Sequence, residues 1–314
     1  MKRKIIQQLK LWKDNPARKP LILLGARQVG KTWVMKHFGQ TEFENVAYIN
    51  CDVEPLAKEL FAADYSIPRI LLTLQAITGT KIEAGKTLIV FDELQEVERG
   101  LHSLKYFQEN APEYHVMAAG SLLGITLGKG QSFPVGKVNV MHLYPMDFEE
   151  YLWAINDEVT IPTIREAFEK RKPLGDAIHR RIMKSFRTYM VVGGMPQAVD
   201  AYVSGKSYEQ IDFVKRNILS LYEEDLAKYD TENREKASVI YRTIPEQLEN
   251  KNSHFKLSMV DKNARYQNYM DAVSFISEAM IGNECINVTK PEVALELFAD
   301  RSNFKLYMGD TRSE

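Results

Sequence analysis

Cysteine is nearly absent from this sequence, with Cys51 and Cys285 the only two in 314 residues. They stand far apart, so neither a disulfide framework nor a zinc-ligand spacing can be built from them, and a reducing compartment is the default. No stretch approaches the ~20 consecutive apolar residues that a membrane-spanning helix needs. The start, MKRKIIQQLKLWKDN, lacks the apolar core and small-residue cleavage site of a secretory signal. These absences lead to an expectation of a cytoplasmic protein with no membrane partner. Excess charge is missing too: 41 Lys and Arg face 42 Asp and Glu, for a formal net charge of -1. Such a balance neither argues for nucleic acid nor excludes it. Internal repeats and low-complexity linkers are also lacking.

What is there reads as a globular chain. Hydrophobic residues make up 45% and charged residues 26%, which excludes disorder on compositional grounds. The length suggests about two domains. One local charge excess stands out: Lys2, Arg3, Lys4, Lys10, Lys13, Arg18 and Lys19 crowd the first twenty residues against Asp14 alone. The solvated face of a leading helix explains it, and an interaction patch is the alternative.

Short apolar runs alternate with helical stretches in the first half. Residues 21–24, 46–50, 87–91, 115–119 and 138–144 fit strands of a mostly parallel sheet buried on both faces, with crossover helices between them. Residues 67–77 place Ile67, Ile70, Leu71, Leu74 and Ile77 at helical spacing. After about Pro145 helical periodicity takes over, through 147–155, 164–172, 177–190, 198–203 and 208–229, with a break at Gly193-Gly194-Met195-Pro196. Ile240, Ile244 and Leu248 share one helical face, and so do Tyr269, Ala272, Val273, Ile276 and Met280. A strand-like 284–288 follows them. Helices followed by a short strand suggest a winged-helix-like module. The expected division is 1–155, 156–232 for a helical region, and 233–314 for the winged-helix-like part.

Gly25-Ala26-Arg27-Gln28-Val29-Gly30-Lys31-Thr32 is a phosphate-loop pattern, set directly after a buried strand and before a helix. Its glycines let successive N–H groups, including those of Gln28 and Val29, curl around phosphate oxygens. The helix that follows adds the positive end of its dipole. Lys31 is expected to reach the β- and γ-phosphates of ATP, and Thr32 to offer its hydroxyl to Mg2+. The third apolar run ends in Asp92-Glu93. Beside a phosphate loop, Asp92 is placed to hold the metal shell and Glu93 to polarise water as general base, although two such acids can also simply begin a helix. Ser121, closing Ala118-Ala119-Gly120-Ser121, either senses the γ-phosphate or caps the next helix. An arginine finger is not located; Arg180, Arg181, Arg187 and Lys137 are candidates, each otherwise a surface charge.

The ordered set G-A-R-Q-V-G-K-T, F-D-E-L-Q, A-A-G-S-L-L-G, S-F-P-V-G-K-V and L-Y-P-M-D-F-E-E-Y-L resembles bacterial and archaeal AAA-type ATPases that carry a C-terminal domain of unknown function. The later V-G-G-M-P-Q-A-V, I-P-E-Q-L and F-K-L-Y-M-G-D-T extend the likeness over nearly the whole chain. The resemblance implies an α/β fold: a five-stranded parallel P-loop NTPase sheet of the additional-strand (AAA/ASCE) type, followed by helical and winged-helix-like regions. It also implies that Asp92 is the magnesium aspartate and Glu93 the catalytic glutamate. Gly194-Met195-Pro196 resembles the Gly-x-Pro element of related ATPases, which makes Pro196 the candidate contact to adenine; an interhelical turn is the plainer reading. Relatives continue into a nuclease-like region, whereas this sequence stops at Glu314. Nuclease chemistry is therefore not expected here, and a strand at 304–308 is expected to lack its partners.

Three readings follow. The first is a magnesium-dependent ATPase that couples hydrolysis to a conformational change. The second is a nucleotide-gated module with little or no hydrolysis, engaging a protein or nucleic-acid partner, with Lys262 and Arg265 as candidate DNA contacts. A small-molecule kinase on the same loop ranks last, because the tandem acids favour water as acceptor.

Overall fold

The structure, a computed structural model, describes residues 1–62, 64–120, 136–229, 234–251, 254–261 and 266–310. It forms two compact units, Lys2–Tyr144 and Pro145–Glu314 with Met1.

The first unit runs α1 (Ile5–Asp14), β1 (Leu21–Leu24), α2 (Lys31–Glu42), β2 (Asn45–Asn50), α3 (Ile67–Thr78), β3 (Thr87–Asp92), α4 (Gly100–Asn110), β4 (His115–Ala119) and β5 (Asn139–His142). The strands form one sheet in the order β2-β3-β4-β1-β5, and every pairing is parallel. Burial follows position in the sheet. Every residue of β3 and β4 is buried, whereas β2 and β5 at the edges alternate or are half open. This is why the central strands read as continuous apolar runs. Ile22, Ile89, Phe91, Val116 and Ala118 pack with Ile70 and Leu74 of α3 and Leu104 and Phe107 of α4. Each fully buried Ile, Leu, Val or Phe among them stabilises the fold by roughly 1.5–3 kcal/mol. Helix α2 lies against β2, β3 and β4.

The basic start departs from the solvated-face expectation at one residue. Arg3 is buried, and its guanidinium donates to the Val29 carbonyl at 2.9 Å and the Tyr144 carbonyl at 2.6 Å. Most of the remaining cations reach protein partners as well. Lys10 pairs with Glu42 at 2.8 Å, Lys13 donates to the Glu42 carbonyl, and Arg18 donates to the carbonyls of Pro112 and Glu113. Helix α1 is pinned through Ile5, Leu9 and Trp12, which are buried.

His115 sits in this unit against Trp12 and Phe43, edge-on to both. Burial, reinforced by the positive charge of Arg18, lowers its pKa from 6.5 to about 4. The folded state thus holds the imidazole neutral. As pH falls, the unfolded chain takes up the proton first, so stability is lost from about pH 6.5 down to about pH 4. Thermal unfolding across this window is expected to show that slope, flattened in His115→Gln; identical profiles for the two would refute the assignment.

The second unit is helical. It contains α5 (Phe148–Ala154), α6 (Thr160–Glu169), α7 (Asp176–Val192), α8 (Pro196–Val203), α9 (Tyr208–Tyr229), α10 (Arg234–Glu249) and α11 (Tyr266–Glu278), then the strands β6 (Gly282–Val288) and β7 (Ala299–Met308). Helix α5 opens on a capping box: Asp147 accepts from the Glu150 N–H at 2.9 Å while the Glu150 carboxylate accepts from the Asp147 N–H at 3.3 Å. The apolar faces read in α10 and α11 are buried at Ile240, Ile244, Ala272, Val273 and Ile276; Leu248 is partly exposed.

The segment 304–308 does not lack partners. It belongs to β7, which pairs antiparallel with β6, and the Phe304 carbonyl also accepts from the Phe255 N–H at 2.7 Å. Phe304 and Leu306 are buried, so the hairpin supplies the pairing that was expected from a further region.

Gly194 lies where no side chain fits: a Cβ there would stand 2.2 Å from the Met146 carbonyl oxygen. Its own carbonyl accepts from the Met146 N–H at 2.6 Å, and its N–H donates to Asp310 Oδ1 at 2.8 Å. We expect Gly194→Ala to cost about 1–3 kcal/mol in stability, read by denaturant titration, because backbone on both sides must shift. An unchanged midpoint would contradict the packing described.

Among the described residues, no helix is long and apolar enough to cross a membrane.

Candidate functional site

The loop between β1 and α2 has the backbone its sequence calls for. Gly30 has φ 94° and forms the N-cap of α2, a conformation that glycine takes without steric cost. Gln28, an exposed non-glycine, is also held at φ 67°. Non-glycine residues in this region are uncommon and collect at ligand clamps. Val29 is buried, with Arg3 donating to its carbonyl from below the loop. At the end of the loop the first N–H groups of α2 have no acceptor within the helix and point along its axis, which suits an anion.

Lys31 is buried at 7% exposure, and its Nζ donates to the carbonyls of Gly25 at 2.8 Å and Ala26 at 2.9 Å. Its ammonium therefore lies folded along the loop. Thr32 is exposed, and its hydroxyl donates to Asp92 Oδ2 at 2.6 Å, across sixty positions of sequence. Tyr48, on the neighbouring strand β2, donates to the same oxygen at 3.0 Å. Asp92 is 2% exposed, and its other oxygen, Oδ1, is buried with no hydrogen-bond partner among the described residues.

Glu93 follows directly, at φ 52°, where the chain leaves β3. Its Oε2 accepts from Gln95 Nε2 at 2.6 Å, which fixes the carboxylate. The two acids shape their surroundings. The Cys51 thiol is pushed up to about 12, first by burial and then by the charges of Asp92 and Glu93. Tyr48 is raised for the same reasons, burial first and Asp92 second. Both stay protonated at neutral pH, so Tyr48 is a standing donor to Asp92.

A magnesium ion fits this donor set. Mg2+ takes one or two protein oxygens and fills the rest of its octahedron with phosphate and water. A buried, unpartnered carboxylate oxygen two bonds from one that accepts a Thr32 hydroxyl is such a site. Among the described residues no group of three or more His, Cys, Asp or Glu side chains gathers as a metal cluster, which this mode of binding does not need.

The structure thus brings Gly25, Gln28, Val29, Gly30, Lys31, Thr32, Asp92 and Glu93 together in the unit Lys2–Tyr144. Ser121 lies outside the described residues, as do Lys262 and Arg265. Pro196 belongs to the other unit, half-buried at the first position of α8. The turn before it is held by Asp310, whose carboxylate accepts from the N–H groups of Gly194 at 2.8 Å and Met195 at 3.2 Å. Of the arginine-finger candidates, Arg180, Arg181 and Arg187 are exposed on α7, and Lys137 pairs with Glu109 at 2.9 Å. Sequence reading missed Tyr48, Arg3 and the Gln95 contact to Glu93. Tyr48 could have been suspected from the pairing of 46–50 with 87–91, since residues two apart share a face of the sheet.

Two family models match this chain. Residues 17–152 match the family model of an AAA domain, and residues 183–311 match that of a domain of unknown function (DUF8612). A search of curated proteins found no match. Among solved structures, similar chains include AMPPCP-bound DnaA from Aquifex aeolicus (13% identity, covering 88% of this chain and 86% of that one, TM-score 0.37). The RuvB Holliday junction branch migration motor of Thermotoga maritima is another (14% identity, 98% and 92%, TM-score 0.40). Drosophila ORC bound to DNA is a third (13% identity, 96% and 90%, TM-score 0.37).

Proposed function

We propose that this chain, an AAA domain at residues 17–152 joined to a DUF8612 domain at residues 183–311, is a magnesium-dependent ATPase that couples hydrolysis to a conformational change. The observation that carries the reading is the Thr32–Asp92 hydrogen bond beside the unpartnered Asp92 Oδ1, with Lys31 at the mouth of the same loop. Gly25, Gln28, Val29 and Gly30 would present backbone N–H groups to the phosphates, and Lys31 would exchange its loop carbonyls for β- and γ-phosphate oxygens. Thr32 and Asp92 would hold the metal, which supplies charge neutralisation on the phosphates. Glu93, fixed by Gln95, would take a proton from the water that attacks the γ-phosphorus as the bond to the β-bridging oxygen breaks, giving ADP and phosphate. Ser121 is kept as a candidate for orienting that water and Pro196 for contacting adenine.

Coupling is supported by the surroundings of Pro196. The preceding Gly194-Met195 turn is tied to Asp310, two residues past the end of β7, so a ligand that moves the turn would act on the C-terminal hairpin. Helices α10 and α11 followed by that hairpin favour a winged-helix-like partner-binding region. We also keep the division 1–155, 156–232 and 233–314 as a proposal for the functional parts.

Phosphate release from ATP and GTP, measured with Mg2+ and with EDTA, tests the reading. Release from ATP is expected with the metal only. Binding of ATP without release in excess Mg2+ would overturn hydrolysis and leave a nucleotide-gated module acting on a protein or nucleic-acid partner.

A further inference from the structure

Asp92 is held unevenly. Both donors that reach it, Thr32 Oγ1 at 2.6 Å and the Tyr48 hydroxyl at 3.0 Å, converge on Oδ2, and Oδ1 is left buried with no partner among the described residues. A carboxylate at the end of a strand can rotate about its side-chain torsions; two donors on one oxygen stop that rotation and fix the direction of the other. Tyr48 is placed for this by register. It pairs with Val90 in the parallel β2–β3 ladder, and Val90 and Asp92 share one face of the sheet, so the phenol reaches along that face to the strand end.

The ring of Tyr48 is itself fixed. The Lys36 ammonium stands over it, 3.7 Å from the centroid, and Lys36 lies on α2, the helix that the phosphate loop opens. A cation at this distance attracts the ring face and strengthens the hydroxyl as a donor. Tyr48 therefore joins three parts of the site: the helix carrying Lys31 and Thr32, its own strand β2, and the strand ending in Asp92.

We propose that Tyr48 is a positioning residue that, steadied by Lys36, aims Asp92 Oδ1 at the divalent cation accompanying bound nucleotide. This rests on the magnesium reading above. Tyr48 touches neither nucleotide nor metal; it acts through Asp92. Hydrogen bonds that orient a metal ligand are commonly needed for full metal affinity.

The test is binding of a fluorescent ATP analogue to the full chain, once in EDTA and once along a MgCl2 titration, for the parent, Tyr48→Phe, Lys36→Met and Thr32→Ala. Tyr48→Phe deletes one oxygen and keeps the ring. It is expected to raise the half-saturating Mg2+ concentration about tenfold with unchanged affinity in EDTA. Lys36→Met is expected to move it in the same direction by less. If the Tyr48→Phe titration superimposes on the parent while Thr32→Ala is displaced, the role of Tyr48 is overturned and the metal site stands. If Thr32→Ala superimposes too, the magnesium reading falls and this proposal with it. Affinity lost equally in EDTA and Mg2+ would also overturn it, because the hydroxyl would then be supporting the fold. Should Tyr48→Phe not fold, Lys36→Met, which leaves the hydroxyl in place, decides by the same comparison.

Discussion

Glu93→Gln is expected to bind ATP as tightly as the parent and to release phosphate at least about a hundredfold more slowly. The substitution keeps size and shape, and the backbone at φ 52° is that of residue 93 whichever side chain it bears. An amide at this position can still meet Gln95, whose Nε2 donates to the present carboxylate at 2.6 Å, by turning its oxygen toward it. Lys31, Thr32 and Asp92 are untouched, so the phosphate and metal contacts survive. What is lost is a group able to take a proton from water. Single-turnover phosphate release beside equilibrium nucleotide binding separates the two effects. Undiminished release with normal binding would remove Glu93 as the base; a parallel loss of binding would mean that its role is structural.

The parts of this protein that sequence reading reached are those in which cause and effect lie close together along the chain. Residues 21–24, 87–91 and 115–119 read as strands because they are buried on both faces, so no polar residue interrupts them. The phosphate loop is contiguous, and Asp92 and Glu93 follow a buried strand directly. What stayed hidden depends on pairing at a distance. Arg3 looked like one more surface cation, yet it satisfies carbonyls 26 and 141 residues away. Tyr48 gains a role only once the register sets it opposite Val90. The segment 304–308 is expected from sequence to lack partners because the resemblance places them in a further region; its actual partner β6 lies upstream, across a ten-residue connection that carries no turn signature of a tight hairpin. Asp310 reaches Gly194 across 116 positions, a contact that neither residue announces by itself.

Lys31→Ala is expected to weaken ATP binding by at least about a hundredfold, the largest single effect on affinity in the molecule. A hydrogen bond to a charged group contributes about 1.5–3 kcal/mol, and loss of two such contacts to phosphate passes the 2.7 kcal/mol that a hundredfold requires. The free protein should feel the change as well. The Lys31 Nζ donates to the carbonyls of Gly25 and Ala26, which are buried within the loop, so without nucleotide the substitution should cost stability, roughly 1–3 kcal/mol for a buried acceptor left unpaired. Stabilisation by added ATP, which follows from binding to the folded state alone, should vanish with the affinity. Lys31→Arg should not restore it. The planar guanidinium is wider than an ammonium and cannot sit against Gly25 and Ala26 at 2.8 and 2.9 Å in the same fold of the loop. Parent-like nucleotide binding by Lys31→Ala would mean that this loop does not hold phosphate, and the assignments of Thr32, Asp92 and Glu93 would fall together.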